Sequence, residues 1–64
     1  MKVYIEKDDE KKEFRYSGSV IGLLKMLALN PAHVLVVRNK RILSSDAKLT
    51  DNDNIKILEM VMGG

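Results

Sequence analysis

Hydrophobic residues in this chain change their spacing twice, and that change constrains the fold more than any other feature. In "MKVYIEK", Met1, Val3 and Ile5 alternate with Lys2, Tyr4 and Glu6. Period two marks a strand with one buried face. From Val20 the spacing becomes helical, with Val20, Leu23, Leu24 and Leu27 three and four residues apart. In "HVLVVRN" and "IKILEMV" it returns to strand-like runs. A single amphipathic helix set among strands is best buried across one face of a mixed four- to five-stranded sheet.

The connections fill in the order. "DDEK" interrupts the first run and "KEFRYS" resumes it through Phe14 and Tyr16, which suggests a hairpin. Ser19 is placed to cap the helix. Gly22 inside it costs about 1 kcal/mol relative to Ala and is expected to mark close packing against the sheet. Asn30-Pro31 is expected to end the helix, because the residue before proline avoids helical geometry. "KRIL" reads as a short fourth strand, and "SSDAKLTDNDN" as a loop pinned by Leu49. The expected core is Val3, Ile5, Leu24, Leu27, Leu35, Val37, Ile55 and Ile57, with both ends of the chain on central strands. No repeat or linker divides residues 1–64, which read as one domain.

Size and chemistry exclude several functions. A chain of 64 residues buries only about 60% of its unfolded surface, leaving no room for an enclosed catalytic cleft, and no enzyme activity of its own is expected. Apolar residues at 45% and charged residues at 31% still suffice for a globular fold. The 11 basic and 9 acidic side chains are interspersed, so no nucleic-acid footprint is indicated. Cysteine is absent, which excludes disulfides, thiolate metal sites and a cysteine nucleophile, and accords with a cytoplasmic location. The longest apolar stretch, residues 20–29, is broken by Lys25 and falls well short of the ~20 residues that span a bilayer. Asp51 and Asp53 begin like a calcium loop but lack its later ligands, so no metal is expected. His33 reads as a loop residue. Arg38, Lys40 and Arg41 form a basic turn, open to solvent or to an acidic partner or RNA.

The chain closes on "KILEMVMGG". Glycine is a poor choice for a stabilising end, since it loses the most backbone entropy on ordering. It suits a tail that must be threaded through a narrow channel and accept whatever backbone angles the channel imposes. Extended, the last four residues reach on the order of 13 Å. If Ile55 and Ile57 face the helix, then Leu58, Met60 and Met62 face away. With Tyr4 they would form an apolar patch fit for docking a partner.

From residue 29 onward, "LNPAHVLVVRNKRI…LTDNDNIKILEMVMGG" resembles the ubiquitin-like β-grasp sulfur carriers. These include the thiamine-pathway and molybdopterin-pathway carriers (ThiS and MoaD), the ubiquitin-related modifier and the small archaeal modifier proteins. Three positions depart from the pattern: Lys40 stands where a glycine follows the turn Asn, Asn52 stands in an acidic "D-G-D" turn, and "MVM" replaces a Pro-Pro element before the tail. The resemblance implies an α+β, ubiquitin-like β-grasp fold with a C-terminal Gly63-Gly64 tail.

It also implies that a ubiquitin-activating-like adenylating enzyme uses ATP to activate the Gly64 carboxylate. A sulfur donor then leaves a thiocarboxylate there for a downstream sulfur acceptor enzyme, in thiamine biosynthesis, molybdenum cofactor biosynthesis or tRNA thiolation. On this reading the chain binds no cofactor itself, is a monomer and needs no trimming. One alternative is a protein modifier joined through Gly64 to target lysines. A distant one is a small RNA-binding module using Arg38, Lys40 and Arg41.

Overall fold

A computed structural model of the protein describes residues 1–60. Strand β1 (Lys2–Ile5) leads through a 3-10 turn (Glu6–Asp8) into β2 (Glu10–Glu13). A two-residue strand β3 (Gly18–Ser19) precedes helix α1 (Val20–Met26), and a second 3-10 turn (Pro31–His33) follows it. Then come β4 (Val34–Arg38), β5 (Arg41–Leu43), the short β6 (Lys48–Leu49) and β7 (Asn54–Glu59). The main sheet has the order β2-β1-β7-β4-β5, and β3 pairs with β6 apart from it. β1 and β7 run parallel while the other neighbours are antiparallel, so the sheet is mixed and β7 is its central strand. This is the expected α+β, β-grasp arrangement.

The helix starts as its sequence dictates. Ser19 is extended, and its Oγ accepts the Gly22 N–H at 3.1 Å, satisfying one of the donors that a first turn leaves free. The end differs from expectation: α1 stops at Met26, well before Asn30-Pro31. Ala28 turns left-handed at φ 59°. Its N–H donates to the Lys25 carbonyl at 3.1 Å, and the Leu29 N–H to that of Leu24 at 2.9 Å. This paired closure satisfies the last carbonyls without a proline. Asn30 instead opens the next 3-10 turn, its Oδ1 accepting the Ala32 N–H at 2.9 Å.

Among the described residues, ten apolar side chains form the core: Met1, Val3, Ile5, Val20, Leu23, Leu24, Val36, Leu49, Ile55 and Ile57. The expected alternation on β1 and β7 holds, but β4 has the opposite parity. Val36 pairs with Ile57 and faces the helix. Leu35, opposite Leu58, and Val37, opposite Lys56, therefore lie on the other face and are only half-buried, not in the core. The run "VLVV" has no period to choose between its two faces; the register on β7 decides. Leu27, the helix C-cap, is also only half-buried against the core.

Strand β2 stops at Glu13, so Phe14 and Tyr16 belong to the connection beyond it and pack on the core from there. Tyr16 also explains Gly22. A Cβ at Gly22 would stand 2.5 Å from the Tyr16 hydroxyl oxygen, whose proton is donated to the Ser19 carbonyl at 2.7 Å. The close approach is to Tyr16 and not to the sheet. Gly22→Ala is therefore expected to lower stability by about 1–3 kcal/mol despite alanine's better helix propensity. In a Tyr16→Phe background most of that cost should vanish, because the clashing oxygen is gone. Urea midpoints of the four-member cycle would show it, and additive effects would contradict it.

Candidate docking face and C-terminal tail

One face of the main sheet carries α1, and among the described residues no element covers the other. Strand alternation and register place Lys2 and Tyr4 of β1, Lys11 and Glu13 of β2, Asn54, Lys56 and Leu58 of β7, Leu35 and Val37 of β4, and Ile42 of β5 on that outer face. Leu35, Val37 and Leu58 are half-buried and Ile42 is 66% exposed. None of the four belongs to the helix-side core or packs against it. They adjoin one another across β5, β4 and β7 through the Val37–Ile42 and Leu35–Leu58 pairs. A shallow groove runs over this region, lined by Tyr4, Val37, Asn39, Lys40, Lys56 and Leu58.

Tyr4, expected in the patch, lies beside it and is tied down. Its hydroxyl donates to Asp9 Oδ1 at 2.7 Å, and the Lys56 Nζ stands 5.9 Å from its ring centre. The hydrogen bond to Asp9 raises the phenol above its ordinary pKa, helped by some desolvation and by the negative charges of Asp9 and Glu6. Leu58 faces outward as expected. Met60 follows β7, half-buried, and its N–H donates to the His33 carbonyl at 2.8 Å, holding the strand's exit against the second 3-10 turn. Met62, Gly63 and Gly64 lie outside the described residues.

Sequence reading missed Leu35, Val37 and Ile42 as surface residues. No periodic signal separates a doubly apolar strand's two faces, so only the strand pairing reveals them.

Arg38, Asp51 and Asp53 have structural employment. Arg38 Nη1 donates to Asp53 Oδ2 at 3.1 Å and to the Lys48 carbonyl at 3.2 Å, and the same Asp53 oxygen accepts the Thr50 N–H at 2.8 Å. Asp51 Oδ1 accepts the Tyr16 N–H. The acidic turn thus fastens β4, the β6–β7 loop and the Tyr16 segment together. Asn39 and Lys40, at φ 53° and 66°, form the tight turn between β4 and β5. A left-handed pair of this kind normally ends in glycine. Lys40 keeps the turn at a cost of roughly 1–2 kcal/mol and projects at the rim of the outer groove.

A family model described as the ThiS family matches residues 2–64, from the first strand through both terminal glycines. The chain belongs to the ThiS family. It is thereby a ubiquitin-like sulfur-carrier protein, of a family whose members are small carriers and not enzymes, and which work with an adenylating enzyme and sulfur acceptors. No curated protein matches the chain. No helix among the described residues is long and apolar enough to cross a membrane.

Proposed function

We propose that this ThiS-family chain carries sulfur on Gly64. A partner enzyme brings the Gly64 carboxylate to the α-phosphate of ATP; a carboxylate oxygen attacks phosphorus and pyrophosphate leaves. A donor persulfide then attacks the acyl carbon of the adenylate and AMP departs; a thiol attacks the donor-side sulfur of the acyl disulfide so formed, closing a new disulfide and releasing the thiocarboxylate on Gly64. The chain contributes position, not chemistry. Its sheet presents the outer face to the enzyme while the glycine tail, lacking Cβ atoms, reaches the nucleotide. The family match running through Gly63 and Gly64 is the observation that carries this reading. The thiocarboxylate sulfur then passes to an acceptor enzyme in thiamine biosynthesis, molybdenum cofactor biosynthesis or tRNA thiolation.

On this reading the apolar part of the outer face, centred on Val37 and Leu58, is where the enzyme grips the chain, with Met60 and Met62 as further contact residues. Leu58→Ala and Val37→Ala should each raise the KM for this chain in ATP–pyrophosphate exchange about tenfold, as expected when a well-packed interface contact is lost. The urea midpoint should change little, since neither side chain is in the core. An unchanged KM in both variants would remove the outer face from the docking role.

A further inference from the structure

The outer face is divided by charge as well as by polarity. Its apolar sector lies on β4, β5 and the end of β7. The adjoining sector, on β2, β1 and the start of β7, carries Lys2, Lys11 and Lys56 against the carboxylates of Glu13 and of Asp9, the latter held on the Tyr4 hydroxyl. All three lysines are exposed. Lys11 and Lys56 flank Tyr4 from its two neighbouring strands. The ion pairs among the described residues are Lys7–Glu59, Lys12–Glu10 and Arg38–Asp53. By register, every strand residue in those pairs lies on the helix side of the sheet. The ion pairs thus gather on the helix side, where Arg41 alone of the main-sheet strand charges stays outside them, while Lys2, Lys11 and Lys56 of the outer face enter none within the described residues.

That charge calls for a complement. Lysines gathered at a docking face cost self-repulsion unless a partner supplies the opposite charge, and such charge raises the rate of encounter more than the final affinity.

Resting on the docking role proposed above, we infer that the lysine sector meets a cluster of carboxylates on the activating enzyme. Those carboxylates adjoin the apolar site that receives Val37 and Leu58, so the chain is steered electrostatically into register before the apolar contacts close. A protein surface fits better than single-stranded nucleic acid. The face offers one aromatic ring, and Tyr4 is already held by Asp9 and overlain by Lys56, whereas strand-binding surfaces need free rings for base stacking. Four of the ten residues that register places on the face are moreover aliphatic. A second copy of this chain, apposed face to face, would set lysine sectors close together.

The test is stopped-flow association of the full chain with the adenylating enzyme of the same organism, at about 0.1 M and about 1 M salt. Over that range the screening length shrinks from roughly 10 Å to 3 Å. The charge-reversed variant Lys2→Glu/Lys11→Glu/Lys56→Glu should associate about tenfold more slowly than the parent at low salt and converge on it at high salt. Glu13→Lys, which adds charge of the favoured sign, should associate faster at low salt, so the result does not rest on one heavily altered chain. Lys7→Glu/Lys25→Glu, off this face, should behave as the parent. If association ignores all the outer-face charges while Leu58→Ala still raises KM, the docking role stands and the electrostatic inference is wrong. If Leu58→Ala and Val37→Ala also do nothing, the docking role itself fails. Tight, steeply salt-dependent binding of oligouridylate by the parent, with salt-insensitive enzyme association, would assign the lysines to a polyanion and overturn the inference.

Discussion

Leu23→Ala is expected to destabilise the domain by about 3–4 kcal/mol and to leave a large fraction unfolded at room temperature. Leu23 is fully buried, at 0% exposure, in the middle of the only α-helix among the described residues. It is among the helix side chains that close over the sheet, together with Val20 and Leu24. Truncation removes buried methyl groups and leaves a cavity that a two-layer fold cannot collapse without moving the whole helix. A chain of 64 residues has a total stability of only about 3–10 kcal/mol at the usual 0.05–0.15 kcal/mol per residue, so one such loss takes much of the total. Ile42→Ala, on the open face, should cost under about 0.5 kcal/mol. Urea denaturation followed by circular dichroism would separate the two, and a Leu23→Ala midpoint close to the parent's would contradict the account of the core.

The largest functional effect is expected at the other end. Deleting Gly64, or adding one residue after it, should abolish pyrophosphate exchange with the adenylating enzyme, a loss of at least about a hundredfold. The first change withdraws the carboxylate from the α-phosphate; the second replaces it with an amide and moves the new carboxylate out of place. Displacement of a reacting atom by even about 1 Å can cost a hundredfold. Neither change touches the core of the described residues, in which Ile57 comes last along the chain, so the urea midpoint should hold. An extended chain that was still adenylated at the parental rate would break the link between Gly64 and function. Gly63→Val tests the channel argument separately, because it keeps the carboxylate and thickens the tail.

Much of the fold was legible because its periods are strong. The alternation in β1, the helix spacing from Val20, the Ser19 cap and the buried face of Ile55 and Ile57 all follow from residue patterns that admit one structure. The misreadings share a cause. Where the sequence is apolar at every position, as in β4, parity is set by a neighbouring strand far along the chain, and Leu35 and Val37 moved from core to surface. The helix end was set by a left-handed Ala28, for which alanine gives no sign, and Gly22 by a tyrosine outside the helix. Of the candidate site, Leu58 and Tyr4 could be placed on the outer face from alternation alone. Ile42 needed the parity of β4, to which β5 pairs, and the three-lysine sector needed the strand order, because β7 lies beside β1 although the two stand at opposite ends of the described chain.

The central claim is that Gly64 carries sulfur, and the intact mass of the protein isolated from its native host under mild conditions addresses it most directly. The account predicts a species heavier than the unmodified chain by one exchange of oxygen for sulfur, with fragmentation placing the change at Gly64. Only unmodified chain, accompanied by conjugates in which Gly64 is joined to lysines of other proteins, would contradict the carrier and make the chain a modifier.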